Sequence, residues 1–524
     1  MPEYVSPGIH VEEIELGPPP IKGVSTSTAG FLGETLRGPQ EPRLITGFEE
    51  FKRLYGGFIP TGTGIGNADL PFAIQGFFAN GGQRCFVTRI TAADALPVTA
   101  DNDGMRISGI GPGTFGNRMA IKIEPGSLQD PDGPTQLFKL TVLYWDVLPN
   151  PLVDPTDAAQ RLNPNRREPT LLEVYDNLTD NPASIDFYET RIGGSSSLIG
   201  AVRTTTGIPT VRAFGLLGTN GTDGGTIVLN DYQGRTLPAL PNGTVYKTGL
   251  MGFEEVDEIA LVIAPAHHTL QPLTTELITH CATLKDRFAI LHSNPSSDTL
   301  ANLTNIHPPM DTTFAAFYFP WIMVFNPLIN QDSMIPPSGH IAGIYAKTDI
   351  DRGVFKAPAN EVVVGATSLQ FQVTKGEQDV LNPRGVNCIR VFASRGIRVW
   401  GARTASTHSL WKYINIRRFF LFLGESIDEG TQWVTFEDNS ERLWARVRQT
   451  IVEFLMTQYR IGALMGARPE EAFFVKVDRT TMTQDDIDNG RVISIIGVAP
   501  VKPAEFVIFR LARFQGGSEM TELD

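Results

Sequence analysis

The sequence predicts a multidomain α/β (α+β) fold: a core built from N- and C-terminal segments, a β-rich inserted outer domain, and an extended arm at each end. Three observations predict it. Strand-like and helix-like patterns alternate over residues 24–95 and again from about Leu250, the order that packs helices on sheets. Between them, residues 96–245 turn rich in Gly, Pro, Asn, Asp and Thr, with short alternating runs such as AIKIEP and FKLTVLYW. Both chain ends set prolines beside short strand-like runs, which excludes helix there.

Composition bounds what the fold can serve. The 524 residues suffice for about three or four domains. A hydrophobic content of 41% with 19% charged residues is that of a globular chain. The formal net charge of −13 argues against nucleic-acid binding through the overall field. Cys85, Cys281 and Cys388 are odd in number and far apart, so they read as buried free thiols of a reducing compartment. The start, MPEYVSPGIHVEEIEL, carries acids where a signal peptide needs cations, so synthesis in a cytoplasm without a leader is expected. The apolar stretch Phe314–Ile329 is interrupted by Pro320, Asn326 and Pro327 and reads as a buried strand rather than a membrane span.

In chain order, residues 1–23 form an arm in which Val5, Ile9, Val11 and Ile14 are the strand-like apolar positions. Residues 24–95 give a strand in VSTSTAGFLG, a helix in FEEFKRLYG, a helix in LPFAIQGFFANGG stopped by glycine, and a strand in RCFVTRI. Residues 96–245 are the surface-exposed insertion. Residues 250–498 return to α/β character: EIALVIAPA, TLQPLTTELITHCATLKD and RFAILHSNP read as a parallel strand–helix–strand unit. Within them, 441–466 places Leu443, Trp444, Val447, Ile451, Phe454 and Leu455 at helical spacing, an amphipathic helix of about six turns. Residues 499–524 form a second arm. There Phe506, Val507, Ile508, Phe509 and Leu511 are apolar on both faces of a strand, and Pro500 and Pro503 supply a stiff lead-in. A strand of that kind either completes the subunit's own sheet or, with the N-terminal arm, is exchanged between protomers.

Catalytic signatures are weak. GPGTFG at Gly111–Gly116 matches the dinucleotide fingerprint by letter, but the strand-like NRMAIKIEP follows where a helix N-terminus should receive the pyrophosphate. GTGIG at Gly62–Gly66 lacks the lysine and hydroxyl of a phosphate loop. His267 and His268 are adjacent, and His280 has no second ligand three or four positions away, so no metal, cofactor or nucleophile is expected. A charge anomaly is stronger. From Arg384 to Arg418 there are eight Lys or Arg and no Asp or Glu, including Arg395, Arg398, Arg403, Arg417 and Arg418. Gly424–Glu441 then carries six acids and no base. Either the two blocks neutralise one another within one fold, or each faces a neighbouring subunit or a tube. Nucleic-acid binding is set aside, because no aromatic stacking platform is interleaved.

Many segments in order resemble the contractile tail sheath family of phages and related injection systems: YVSPGIHVEEI, FFANGGQRCFVTRI, FYFPWIMVFNP, IPPSGHIAGIYAKTDIDRGVFKAPAN, LNPRGVNCIRVF, GIRVWGART, WKYINIRR, GTQWVTFEDN, EEAFFVKVD and IGVAPVKPAEFVIFRL. The resemblance covers about residues 1–95 and 250–512 and leaves 96–245 unmatched. It implies a sheath core, stacked hexameric rings of this chain around an inner tube protein, contraction that drives the tube through a cell envelope, and contacts to baseplate and tail-terminator proteins. It also implies that the arms add strands to a sheet of neighbouring subunits and that a C-terminal-domain helix faces the tube. By position that helix is 441–466, with Arg442, Arg446, Glu453 and Arg460 as candidate tube-facing charges. A static surface-layer polymer, or a dinucleotide-dependent enzyme, are the alternatives; membrane insertion is not expected.

Overall fold

The computed structural model describes residues 20–60, 66–128, 137–238, 245–506 and 508. The arm positions Val5, Ile9, Val11, Ile14, Val507, Phe509 and Leu511 lie outside them. The first core segment forms strands β1 (Ala29–Gly33) and β2 (Arg43–Ile45), helices α1 (Phe48–Tyr55) and α2 (Leu70–Ala79), and strand β3 (Cys85–Arg89). Helix α1 stops where Gly56, at φ 96°, donates its N–H to the Lys52 carbonyl, a left-handed cap that glycine adopts without a Cβ penalty.

The chain then leaves the core. It forms β4 (Thr99–Asn102), β5 (Met105–Gly109), β6 (Met119–Pro125), β7 (Phe138–Tyr144), β8 (Leu171–Leu178), helix α3 (Tyr188–Gly193), β9 (Ile199–Arg203) and β10 (Arg212–Leu216). These make a four-stranded sheet, β10-β6-β7-β8, and a three-stranded one, β4-β5-β9, antiparallel throughout. They enclose a hydrophobic core of their own, including Ile121, Leu140, Val142 and Leu198. Short helices α4 (Leu229–Gln233) and α5 (Gly249–Phe253) lead back.

The returning chain supplies β11 (Leu261–Ile263), α6 (Gln271–Leu284), β12 (Phe288–His292), β13 (Ala315–Phe319), β14 (Ile322–Asn326), β15 (Gln331–Ile335), α7 (Ser338–Arg352), β16 (Ala366–Leu369), α8 (Lys375–Leu381), β17 (Val386–Phe392) and β18 (Gly396–Trp400). The main sheet has the order β18-β17-β13-β12-β11-β1-β3-β2. Its six inner strands run parallel, and the two edge strands run antiparallel to their neighbours. The inserted domain departs after β3 and returns through β11, the two strands that flank β1. Side chains alternate across the sheet as the pleat requires: Leu261, Ile263 and Tyr318 face the layer of α2 and α7, while Val262, Leu291 and Phe319 face that of α6. Both layers are buried, which is why these strands read as continuous apolar runs.

Helices α2 and α7 approach through glycines. A Cβ on Gly339 would lie 2.3 Å from the Ala73 carbonyl oxygen, and one on Gly343 2.3 Å from that of Phe77. The stretch Phe314–Ile329 is not one buried strand, as the sequence suggested. It breaks at Pro320, with β13 in the main sheet and β14 in a small sheet β15-β14-β16. Phe325, Leu328 and Ile329 are about half exposed, because β14 has left the covered layer.

The last unit contains α9 (Ile414–Thr431), α10 (Glu441–Arg460), α11 (Pro469–Ala472), β19 (Phe473–Lys476), α12 (Gln484–Asp488) and β20 (Ile495–Val498). Its core joins Phe419 and Leu423 of α9 to Trp444, Ile451 and Leu455 of α10 and Val475 of β19. The amphipathic helix read at 441–466 starts at the Ser440 cap and ends at Arg460. Residues 461–466 are a loop with Gly462 and Gly466 at positive φ, which ends the helical periodicity. Among the described residues no helix is long and apolar enough to cross a membrane.

Candidate functional site

The described chain ends meet the body on the last unit. Residues 21–26 lie along α9. Ile21 packs into its core, and the Gly430 Cα hydrogen points at Ile21 so closely that a Cβ there would come within 2.6 Å. The Val24 N–H donates to Ser426 Oγ at 3.1 Å, Gly23 sits against the Phe422 ring, and Arg418 Nη2 donates to the Thr26 carbonyl at 2.8 Å. Positions 418, 422, 426 and 430 fall on one helix face at i, i+4 spacing. The segment that feeds the N-terminal arm is therefore seated along one stripe of α9.

At the other end, β19 and β20 form a two-stranded antiparallel sheet with Phe474 opposite Gly497, over which its ring lies. Phe474 and Ile495 are 57% and 47% exposed, and β20 has no strand on its outer side among the described residues. Beyond β20 the chain stays attached to the body. Ala499 N–H donates to the Ala472 carbonyl, Val501 N–H to that of Ala463, and Asn415 Nδ2 to the Val501 carbonyl. Glu505 comes next, and its carboxylate is surrounded. It accepts from Arg403 Nε at 2.7 Å, Asn382 Nδ2 at 2.9 Å and Tyr413 Oη at 3.0 Å, with Lys412 Nζ at 3.4 Å. Burial alone would raise its pKa; the hydrogen bonds from Arg403 and Asn382 and the Arg403 charge outweigh it, and the pKa falls to about 2. Immediately past this clasp the character reverses: Phe506 and Ile508 are 70% and 79% exposed.

The basic block is thereby resolved into parts. Arg403 is spent on Glu505 and on the Asn382 carbonyl. Arg418 is paired with Asp349 at 2.6 Å, both side chains 3% exposed. Arg417 lies over the rings of Phe314 and Trp411 at 3.9 and 4.8 Å, and burial brings its pKa down to about 10. These three face the subunit's own interior. Their partners are not the acids of Gly424–Glu441 that sequence reasoning offered but Asp349 and Glu505, which only tertiary folding brings close. Arg395 is exposed, and Arg398 is tied to Asn360 and the Arg395 carbonyl.

On α10, Arg442, Gln449, Glu453, Thr457 and Arg460 form an exposed polar stripe opposite the buried Leu443–Leu455 face. Arg446 joins it half-buried, its guanidinium 4.6 Å over Trp433, and Glu453 accepts from Gln449. Arg442 and Arg460 form no ion pair among the described residues.

The other sequence candidates are held in different ways. In Gly111–Gly116 a single 3-10 turn at Thr114–Arg118 precedes strand β6, and the Asp223 carboxylate accepts from Thr114 N–H and Oγ at 2.9 and 2.6 Å. A carboxylate thus occupies the loop amide a phosphate would need. His267 and His268 are turned by a 3-10 segment towards His292, at the C-terminal ends of β11 and β12. His292 was invisible to spacing arguments, since it lies 25 residues from His267. Among the described residues no group of three or more His, Cys, Asp or Glu could hold a metal ion. The three cysteines are buried and free.

Against known proteins, the family model of the phage tail sheath protein central domain matches residues 242–405, and that of the phage tail sheath C-terminal domain matches 406–512. Together they cover just over half of the chain. The chain belongs to the phage tail sheath family. The tail sheath protein of Vibrio phage KVP40 is 24% identical over 218 residues, 41% of this chain and 32% of that protein. A putative prophage major tail sheath protein of Pseudomonas aeruginosa (strain UCBPP-PA14) is 24% identical over 257 residues, 48% of this chain and 64% of that protein. The chain thus matches less than two thirds of the length of either relative. The helical sheath of the anti-feeding prophage in its contracted state superposes with a TM-score of 0.56 at 23% identity, over 97% of this chain and 99% of that one. The sheath tail protein of Listeria innocua superposes with a TM-score of 0.57 at 12% identity, over 92% and 96%. These likenesses show that the sheath fold extends over nearly the whole chain, the inserted domain included.

Proposed function

We propose that this chain is the repeating subunit of a contractile sheath. Copies stack as hexameric rings around an inner tube, joined to baseplate and terminator proteins in a phage tail or injection particle, and shorten to drive the tube through a cell envelope. Of the arms expected at residues 1–23 and 499–524, the parts beyond the attachments at Ile21 and Glu505 are the links, and the open edge of β20 is the acceptor for strands from neighbouring copies. The observation that carries this reading is the abrupt change at Glu505: a chain pinned to its own body up to that residue, then exposing Phe506 and Ile508, in a subunit whose sheet of β19 and β20 has no third strand among the described residues. Two strands alone are marginal in water, and a third or fourth strand with an apolar face stabilises them. A donated strand of five residues makes about four backbone hydrogen bonds at about 1 kcal/mol each, enough in several joins per subunit to outlast weaker body contacts. The stripe of α10 with Arg442, Arg446, Glu453 and Arg460 is the tube-facing surface, polar enough for the tube to be released.

The energy for shortening is stored at assembly, in a contracted lattice that buries more surface per subunit. The family is structural, and no catalytic role is assigned to the chain. Electron microscopy of the purified protein in negative stain tests the reading. Striated hollow cylinders in a long narrow and a short wide form are expected; flat sheets of one geometry would instead favour a static polymer.

A further inference from the structure

We propose that the Glu505 clasp is the take-off lock of the C-terminal arm, a positioning device that fixes where the chain leaves its own body and hence how far the arm can reach into a second copy of this chain. This rests on the arm reading above and adds to it a residue that sets the arm's free length. The geometry is that of a pin rather than of a surface pair. One carboxylate takes Arg403 and Asn382 on one oxygen and Tyr413 and Lys412 on the other. Arg403 is itself held, with its backbone N–H on Asn387 and a guanidinium nitrogen on the Asn382 carbonyl, so the receiving side cannot follow a displaced arm.

Behind the clasp the attachments are few: Val501 is tied through its N–H to Ala463 and through its carbonyl to Asn415. Lys502 and Ala504 are exposed, and Pro503 has no N–H to donate. Were Glu505 to let go, residues 501–505 could peel away and lengthen the arm by up to about 17 Å, at about 3.4 Å per residue. A lattice linked through such an arm would lose its fixed spacing. Asn415 stands in the first turn of α9, the same helix along which residues 21–26 are seated, so tension on either arm is delivered to one rigid element. The carboxyl stays ionised down to about pH 2, so the lock holds in mild acid.

The test uses the full chain with Glu505→Ala and Glu505→Gln, and Lys502→Ala as a neighbouring control. In unassembled protomers, hydrogen exchange at the Val501 amide and at the Met465 amide, which donates to the Ala499 carbonyl, is expected to accelerate about tenfold or more in Glu505→Ala. Glu505→Gln should accelerate it less, and the control not at all. In assembled cylinders the axial repeat should broaden in the same order, while the protomer's melting midpoint stays within a few degrees; where the alanine variant does not assemble, the glutamine variant supplies this reading. Unchanged exchange overturns the proposal, and so does accelerated exchange with an unaltered repeat. Truncation after Glu505 separates the lock from the arm itself. Normal cylinders from the truncated chain overturn the arm reading and the lock together, whereas cylinders lost on truncation but unaffected by Glu505→Ala overturn the lock alone.

Discussion

At the scale of single residues, the interior holds titratable groups that the fold keeps in one state. His267 is buried, with Nδ1 3.1 Å from Thr274 Oγ1 and Nε2 accepting the backbone N–H of His292. That acceptor role places the ring proton on Nδ1. Burial, then the nearby His268, brings its pKa down to about 3, and His292 lies well below its ordinary value for the same reasons, with His267 the nearer charge. Burial also brings His340 down to about 4, and burial with the Arg287 charge brings His280 to about 4. The unfolded chain takes up these protons near pH 6.5, while the folded one refuses those of His267, His280 and His340 until near 3 to 4. The stabilising difference is therefore full above 6.5 and is lost as pH falls through that window. Thermal unfolding followed from pH 7 to pH 4 should show stability falling by up to about 1.4 kcal/mol per pH unit for each such histidine. His267→Gln should flatten the slope. A slope identical to wild type would mean that the cluster takes its protons without loosening. Residue-level legibility was uneven for a physical reason: cysteine burial follows from residue type and number, whereas the His267–His292 and Arg403–Glu505 partners are set by which strand ends and loops the fold brings together.

At the scale of elements, periodicity found the helices and strands where burial is one-sided or complete, and failed where it switches. The strand–helix–strand unit of β11, α6 and β12 was legible because these elements bury uninterrupted apolar sets, whereas the short edge strand β2 was not read from the sequence. Phe314–Ile329 misled because composition alone cannot show that Pro320 passes the chain from one sheet to another. The α2–α7 contact rests on glycines four apart, Gly339 and Gly343, which the sequence reading did not single out, and it yields a prediction. In a helix interior Gly→Ala ordinarily stabilises by about 0.5–1 kcal/mol. At Gly343 the new Cβ would stand 2.3 Å from the Phe77 carbonyl oxygen, so the helices must separate. Gly343→Ala should lower stability by about 1–3 kcal/mol in urea unfolding; an increase would show that the helices can part without loss. Helix α10 gives the opposite expectation, because Arg442 and Arg460 of its outer stripe are exposed and form no ion pair among the described residues. Arg442→Glu with Arg460→Glu should leave the unfolding midpoint within about 0.5 kcal/mol of wild type. The same pair should weaken cosedimentation with the inner tube, increasingly so at low salt. Unchanged cosedimentation would rule out the proposed tube-facing role of this stripe.

At the scale of the whole molecule, the division into a core interrupted by an insertion follows from β1 being flanked by the strands where the insertion leaves and returns. An insertion that leaves after β3 and returns at β11 has only β1 between its two ends in the sheet, and the sequence reading placed it at residues 96–245 by their turn-rich composition. The arms are the harder matter, since an element proposed to fold on another copy would find its partner outside its own chain. What one subunit does reveal is how each arm is rooted. The N-terminal root is an apolar and backbone seam along α9, made by Ile21, Gly23 and Val24; the C-terminal root ends in the ionic clasp at Glu505. Neither root contributes to the three large cores, so removing an arm beyond its root should spare the fold. Deletion of residues 1–19, and separately of 507–524, is expected to leave protomers with wild-type circular dichroism and unfolding midpoints within a few degrees. In the proposed linkage every ring-to-ring link needs both a donated strand and its acceptor, so either deletion should reduce cylinders in negative stain to isolated rings or short stacks. Mixing the two variants should restore length partially, since each supplies the arm the other lacks. Full-length, contractile cylinders from both deletions would show that body contacts alone hold the lattice, and the proposed linkage through the arms would fail.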